Sequence, residues 1–288
     1  MSSTFDAILQ KYIKKFNDKN KHSETHDITI DGTRYFVKVV GKTKKEHMKN
    51  EINTLQELAQ IFPMYRNYFV ASTEDDTHCA ILLRYIDGED LKFLLDTDCS
   101  LKMVLCLYRM LFKKLLFFHE KRITHGDIKP QNFYSYIDQN DGMMKLKLID
   151  TETCTFYDKL ENVDDIKRLR SLYYYLPDNP RSSSFFKTKE DAFIFFRYLD
   201  HYSLACFMLY LYKRNVYRML QENNYKEDDK NPWRLKEGLY SPYDYVDKDK
   251  NQLERVLHYV FKYIPNEKTY KEDLPKFNIE KLKELLYD

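Results

Sequence analysis

Asp127, Asn132 and Asp150 carry oxygen-bearing side chains that can ligate a cation or, for the carboxylates, move a proton. All three lie in one stretch, Ile123–Glu152, which reads ITHGDIKPQNFYSYIDQNDGMMKLKLIDTE. Both aspartates have apolar residues beside them, and Asn132 follows Asp127 by five positions. Two oxygen ligands plus a free carboxylate suit Mg2+, which takes few protein ligands and keeps positions open for phosphate oxygens. A carboxylate left out of the metal shell can accept or orient a hydroxyl proton.

Such groups need elements to hold them. Strand-like runs at Phe133–Ile137 and Met144–Ile149 flank a turn at Asn140-Asp141-Gly142, the pattern of a β-hairpin. A hairpin there is expected to bring Asn132 and Asp150 together at one end, with Asp127 nearby. A long amphipathic helix, Leu101–Lys121, leads into the stretch. Upstream, apolar residues at Phe5, Ile8, Leu9, Tyr12, Ile13 and Phe16 recur at helical spacing and predict an opening helix that packs on its own domain. A polar loop over 17–25 precedes a hairpin, His26–Ile30 and Arg34–Val40, around Asp31-Gly32. Lys38 sits inside its second strand with apolar residues on both sides. It is either an exposed edge position or a buried cation that needs an acid. A helix over Lys44–Gln60 offers Glu51 beside its apolar stripe, with Glu46 as the runner-up. Strands at Tyr68–Ser72 and His78–Tyr85 follow.

The chain has 288 residues, enough for one two-lobed unit or two small domains. A hydrophobic share of 43% supports a core, and the net charge of +2 gives no general argument for nucleic-acid binding. Lysines gather between Lys11 and Lys49, where a solvated face is the expected reading. Cys79, Cys99, Cys106, Cys154 and Cys206 are scattered, odd in number and without CxxC spacing, which points to a reducing compartment. The N-terminus is polar and reads as no signal peptide. Lys102, Arg109, Lys113 and Lys114 interrupt the most apolar helix, so no membrane span is expected.

His125-Gly126-Asp127-Ile128-Lys129-Pro130-Gln131-Asn132 resembles the catalytic loop of the protein kinase family, H-R-D-x-x-x-x-N, and Leu148-Ile149-Asp150 resembles the start of its D-F-G. The Lys-Pro pair is similar to the serine/threonine branch. Val37-Lys38-Val39 matches the family's V-A-I-K strand. The resemblance implies an α+β, two-lobed fold: an antiparallel-sheet N-lobe over about 1–86, a hinge over about 84–90, and a helical C-lobe over about 91–288. It implies ATP and Mg2+ as cofactors and a protein substrate, in a cytoplasmic setting with no membrane or nucleic-acid partner. Oligomeric state is left open. Asp127 would be the catalytic carboxylate, Lys129 would neutralise the transferring phosphoryl, and Asn132 with Asp150 would hold Mg2+. Lys38, kept in place by Glu51, would anchor the α- and β-phosphates. Leu83 would be the gatekeeper, with backbone groups of Arg84 and Ile86 facing adenine, Asp90 meeting the ribose and Tyr134 lying under the base. Asp90 reads equally well as a helix cap, and Tyr134 as an ordinary strand aromatic.

The chain departs from the family in several places. Gly32 fits a hairpin turn rather than a glycine-rich phosphate lid. Gly126 replaces the arginine that meets a phosphorylated activation loop, which implies activity without that phosphorylation. Thr151-Glu152 replaces Phe-Gly. Glu152 is either an additional metal ligand or a solvent-facing acid. A segment over 153–191 would be the activation region, with Leu176-Pro177-Asp178 in place of A-P-E and a polar run Arg181-Ser182-Ser183-Ser184. Asp200, opening an apolar run, matches the aspartate that orients the catalytic loop, while His119 and His125 read as packing residues. Two alternatives stay open: a pseudokinase scaffold, and a small-molecule phosphotransferase of the aminoglycoside or choline kinase type. The latter often carries an acid two residues after the metal aspartate and would line its pocket with acids such as those in Asp244–Asp249.

Overall fold

The structure, a computed structural model, describes residues 2–16, 23–138, 141–163, 186–216, 218, 225–226, 234–235, 242–263 and 276–288. The loop 17–22, Asn140, Leu176-Pro177-Asp178, the run 181–184 and Trp233 lie outside the described residues. The chain divides into two compact units, Met1–Glu89 with Tyr136–Glu152, and Asp90–Ser135 with Thr153–Asp288. An antiparallel sheet builds the first and helices build the second, so the fold is α+β.

In the first unit helix α1 (Ser2–Lys15) precedes strands β1 (Ser23–Ile30) and β2 (Thr33–Val40). Helix α2 (Lys45–Ile61) and strands β3 (Phe69–Glu74) and β4 (Cys79–Arg84) follow. The sheet runs β1-β2-β4-β3, with antiparallel pairing that sets Lys38 opposite Ile81. Leu9 and Ile13 of α1, with Phe16 just beyond its end, pack on Val37, Val39, Ala80 and Leu82, as the helical spacing predicts. Each such side chain contributes roughly 1.5–3 kcal/mol on burial. Because strand residues alternate between faces, Lys38 turns to the side opposite α1. There α2 buries Met48, Glu51, Ile52, Leu55 and Leu58 along one stripe. A 3-10 turn, Pro63–Tyr65, ends this helical segment. Strand β5 (Gly88–Asp90) lies at the end of the unit's first segment.

Among the described residues, four helices build the second unit. They are α3 (Leu101–Glu120), α4 (Lys189–Tyr212), α5 (Gln252–Phe261) and α6 (Ile279–Tyr287). Ser100, Thr188, Asn251 and Asn278 cap their N-termini, the Thr188 cap forming a reciprocal box with Asp191. Helix α4 is apolar on all sides and packs against α3 and α5, the expected placement for a central helix. Short strands β6 (Ile123–Thr124) and β9 (Thr155–Phe156) pair antiparallel. Strand β7 (Phe133–Ile137) begins in this unit, while its end and strand β8 (Met144–Leu148) belong to the first, where the Asp138 N–H donates to the Met143 carbonyl at 2.9 Å.

Three expectations are corrected. Tyr136–Glu152, assigned by the sequence reading to the span 91–288, packs with the first unit. The helix that Asp90 was expected to cap is a 3-10 segment, Leu91–Asp96. Strand β1 begins at Ser23 rather than His26, because its ladder runs on to pair Ser23 with Val40. Among the described residues no helix is long and apolar enough to cross a membrane.

Candidate active site

Lys38 and Glu51 meet in the first unit, with Nζ 2.6 Å from Oε2. Strand alternation aims the lysine at α2, and the helical stripe buries Glu51 to 4% exposure. Glu46, the runner-up, is exposed and lies 3.8 Å from Lys49. Asp150 and Glu152 join the pair: carboxylate oxygens of Glu51, Asp150 and Glu152 lie within 4.8 Å of one another. Glu152 is also 4.0 Å from Lys38 Nζ. Burial opposes the lysine's charge, but the carboxylates of Glu51, Asp150 and Glu152 outweigh it and raise its pKa above the ordinary value. The ammonium therefore stays charged and is a ready partner for phosphate oxygens. Asp150 adopts a left-handed backbone with φ 58°, which aspartate tolerates better than most residues. Thr151 is fully buried, and its hydroxyl finds no partner among the described residues.

The stretch of the second unit that resembles a kinase catalytic loop runs from β6 to the 3-10 turn Pro130–Asn132. Lys129 Nζ lies 2.6 Å from Asp127 Oδ2. Asn132 Nδ2 donates to the Asp127 carbonyl at 2.8 Å and to Oδ2 at 3.0 Å. That commits the amide nitrogen, and Oδ1 is the atom of the same amide that can ligate a cation. Asp200, fully buried on α4, holds the loop from below. It accepts the His125 N–H at 2.9 Å and the Gly126 N–H at 3.0 Å, and His119 Nε2 lies 3.1 Å from its Oδ2. Burial pushes the Asp200 pKa up to about 6 and that of His119 down to about 3. His125 is buried too; its Nδ1 accepts the Asp127 N–H at 3.3 Å and its carbonyl accepts the Thr153 hydroxyl at 2.8 Å. Gly126 has φ 82°, a conformation that strains any residue with a β-carbon.

The remaining expected residues are placed as follows. Leu83 is buried on β4, between Phe36 and Phe69. Arg84 ends that strand, and its N–H is committed to the Tyr68 carbonyl at 2.8 Å. Ile86 is half-buried between β4 and β5. Asp90 Oδ1 accepts the Lys92 N–H at 2.8 Å, so the cap is formed. Tyr134 is half-buried on β7. The structure thus brings Lys38, Glu51 and Asp150 together in the first unit, and Asp127, Lys129 and Asn132 together in the second.

Two contacts beside Asp150 carry no local sequence signal. Asn50 Nδ2 donates to the Glu152 carbonyl at 2.6 Å, and the Tyr65 hydroxyl donates to the Leu148 carbonyl. Lys147, also unforeseen, is buried with Nζ 4.1 Å from the Tyr68 ring centre and 5.2 Å from that of Tyr65.

Comparison with known proteins gives the family. A family model described as protein kinase domain matches residues 28–268. Serine/threonine-protein kinases from Drosophila erecta and Drosophila melanogaster are each 28% identical over 138 residues, 46% of this chain and 17% of theirs. The chain thus aligns with only a small part of those longer relatives. The family match extends over most of the chain and takes in both side-chain sets just described, and on that ground the chain belongs to the protein kinase domain family.

Proposed function

We propose that the chain transfers the γ-phosphoryl group of ATP to serine or threonine hydroxyls of a protein substrate. The observation that carries this reading is the Asp127–Lys129–Asn132 set on a loop moored to a buried aspartate. Asp127 accepts or orients the proton of the incoming hydroxyl. Lys129, already at its side, offsets charge on the phosphoryl group in flight. Lys38 binds the α- and β-phosphates while Glu51 fixes its direction. Each donor by its own chemistry suits Mg2+: Asn132 would offer its amide oxygen, and Asp150 a carboxylate in an acid-rich setting. When bound, Mg2+ neutralises charge on the β- and γ-phosphates. Leu83, Ile86 and the Arg84 carbonyl belong with the adenine end, Asp90 with the ribose and Tyr134 with the base.

Gly126 supports activity that does not wait for loop phosphorylation, since no guanidinium stands there to read it. Five free cysteines support a reducing, cytoplasmic setting. A second reading is favoured by Glu152, whose carboxylate lies in the Asp150 cluster where a glycine is usual in protein kinases. It points to a small-molecule phosphotransferase, or to a scaffold that binds nucleotide without turnover.

The test is incubation of purified protein with Mg2+, γ-labelled ATP and casein, beside Asp127→Asn. Label transfer to protein, reduced by about 100-fold or more in the variant, is the expected result. Label found only on an added amine or alcohol metabolite favours the small-molecule reading. Nucleotide binding with no transfer to any acceptor favours the scaffold.

A further inference from the structure

Two carbonyls stand two residues either side of Asp150, and both accept hydrogen bonds from the segment that carries Glu51. The Tyr65 hydroxyl donates to the carbonyl of Leu148, and Asn50 Nδ2 donates to that of Glu152 at 2.6 Å. We propose that Asn50 and Tyr65 are positioning residues, a two-point clamp that holds the Asp150 segment in register with the Lys38–Glu51 pair. Its consequence for turnover rests on the phosphoryl-transfer reading; its geometry does not.

The electrostatics of the cluster show why a clamp is needed. Three acids, Glu51, Asp150 and Glu152, crowd beside the ammonium of Lys38, and burial, together with the two neighbouring acids, raises the Glu51 pKa above the ordinary carboxylate value. Like charges at this range repel, and the repulsion acts to drive the Asp150 segment away from α2. Asp150 itself sits at φ 58°, a conformation that a loosened chain would abandon. Hydrogen bonds to backbone carbonyls oppose both tendencies without adding charge. Asn50 is the residue next to Glu51, so the bond that holds Glu152 also fixes the helical turn from which Glu51 reaches Lys38. Tyr65 is fully buried, and its ring also lies 5.2 Å from Lys147 Nζ, one residue before the carbonyl it holds. The pair therefore sets where Asp150 presents its carboxylate relative to the lysine that binds phosphate.

Hydrogen–deuterium exchange of the full chain without nucleotide tests the clamp directly. Asn50→Leu keeps the size and removes the donor; Tyr65→Phe removes only a hydroxyl. Each is expected to speed exchange over residues 148–153 by about tenfold while α3 is unchanged, and Asn50→Gln to restore part of the protection. Unchanged exchange in Asn50→Leu overturns the clamp, and that variant decides alone if Tyr65→Phe fails to fold. The positioning role is read from phosphoryl transfer: the Mg2+ concentration for half-maximal rate rises several-fold in Asn50→Leu while KM for the protein substrate holds. A loosened segment with an unmoved Mg2+ requirement overturns that role. A wild-type chain that transfers no phosphoryl group overturns the functional reading alone, and the exchange result still decides the clamp.

Discussion

Lys147 shows what a single buried charge does. It is 6% exposed, and burial pushes its pKa down to about 7. The faces of Tyr68 and Tyr65 return roughly 0.5–2 kcal/mol to the cation. A displacement of several units, at about 1.4 kcal/mol each, outweighs that return. The folded state therefore holds fewer protons than the unfolded chain between about pH 7 and the ordinary lysine range. Stability should rise with pH across that window, by up to about 1.4 kcal/mol per unit. Lys147→Met should raise the melting temperature at pH 7 and flatten the rise, as thermal melts between pH 7 and 10 would show. None of this is legible locally. In Met144-Lys145-Leu146-Lys147-Leu148 the two lysines share one strand face, and Lys145 is a surface residue paired with Asp141. Lys147 is buried only because tyrosines from a distant part of the chain cover it. Asn50 escaped notice for the same reason: its partner lies 102 residues away.

At the scale of elements, the loop from β6 to Asn132 was readable because its spacing is a chemical requirement rather than a propensity. Asp200 was readable too, as an acid at the right distance downstream. Its proton affinity was not, since that depends on complete burial in α4. With its pKa near 6, Asp200 takes up a proton as pH falls through that value and gives up part of its hold on the His125 and Gly126 N–H groups. The rate of phosphoryl transfer is expected to fall along an acid limb near pH 6. The sign for stability is opposite: a raised carboxylate pKa favours the folded state at lower pH, and the contribution is lost as pH rises through about 6. Rate loss without unfolding is thus the signature of Asp200. Asp200→Asn should give a low rate with no limb there, measured by a pH–rate profile beside thermal melts. His119 does not confuse the assignment, because burial keeps it neutral down to about pH 3. Elements of low intrinsic signal were less legible. The 3-10 segment Leu91–Asp96 reads as a helix start until its length is known, and β1 gains its first residues from pairing with β2 rather than from their own preference.

For the whole molecule, the α+β character followed from motifs that each belong to a known kind of element. Nucleotide binding should be visible as added stability, about 2.7 kcal/mol when ligand is a hundred times its Kd. ATP with Mg2+ is expected to raise the melting temperature of the wild type, and Lys38→Met to lose most of that shift. A persisting shift would remove Lys38 from the phosphate site. The membership of the two units was the least legible feature, because nothing in Tyr136–Glu152 says that it belongs with residues far upstream. That interleaving has a consequence for how the protein is made. Translation proceeds at about 5–20 residues per second, so several seconds separate the emergence of Glu89 from that of Glu152. During that interval the first sheet and α2 lack the segment whose carbonyls accept from Tyr65 and Asn50. The nascent first unit waits, half-built and sticky, for the ribosome to deliver its last strand. A chaperone has its natural window there, and a stop codon placed before Tyr136 would leave a fragment that no later event can complete.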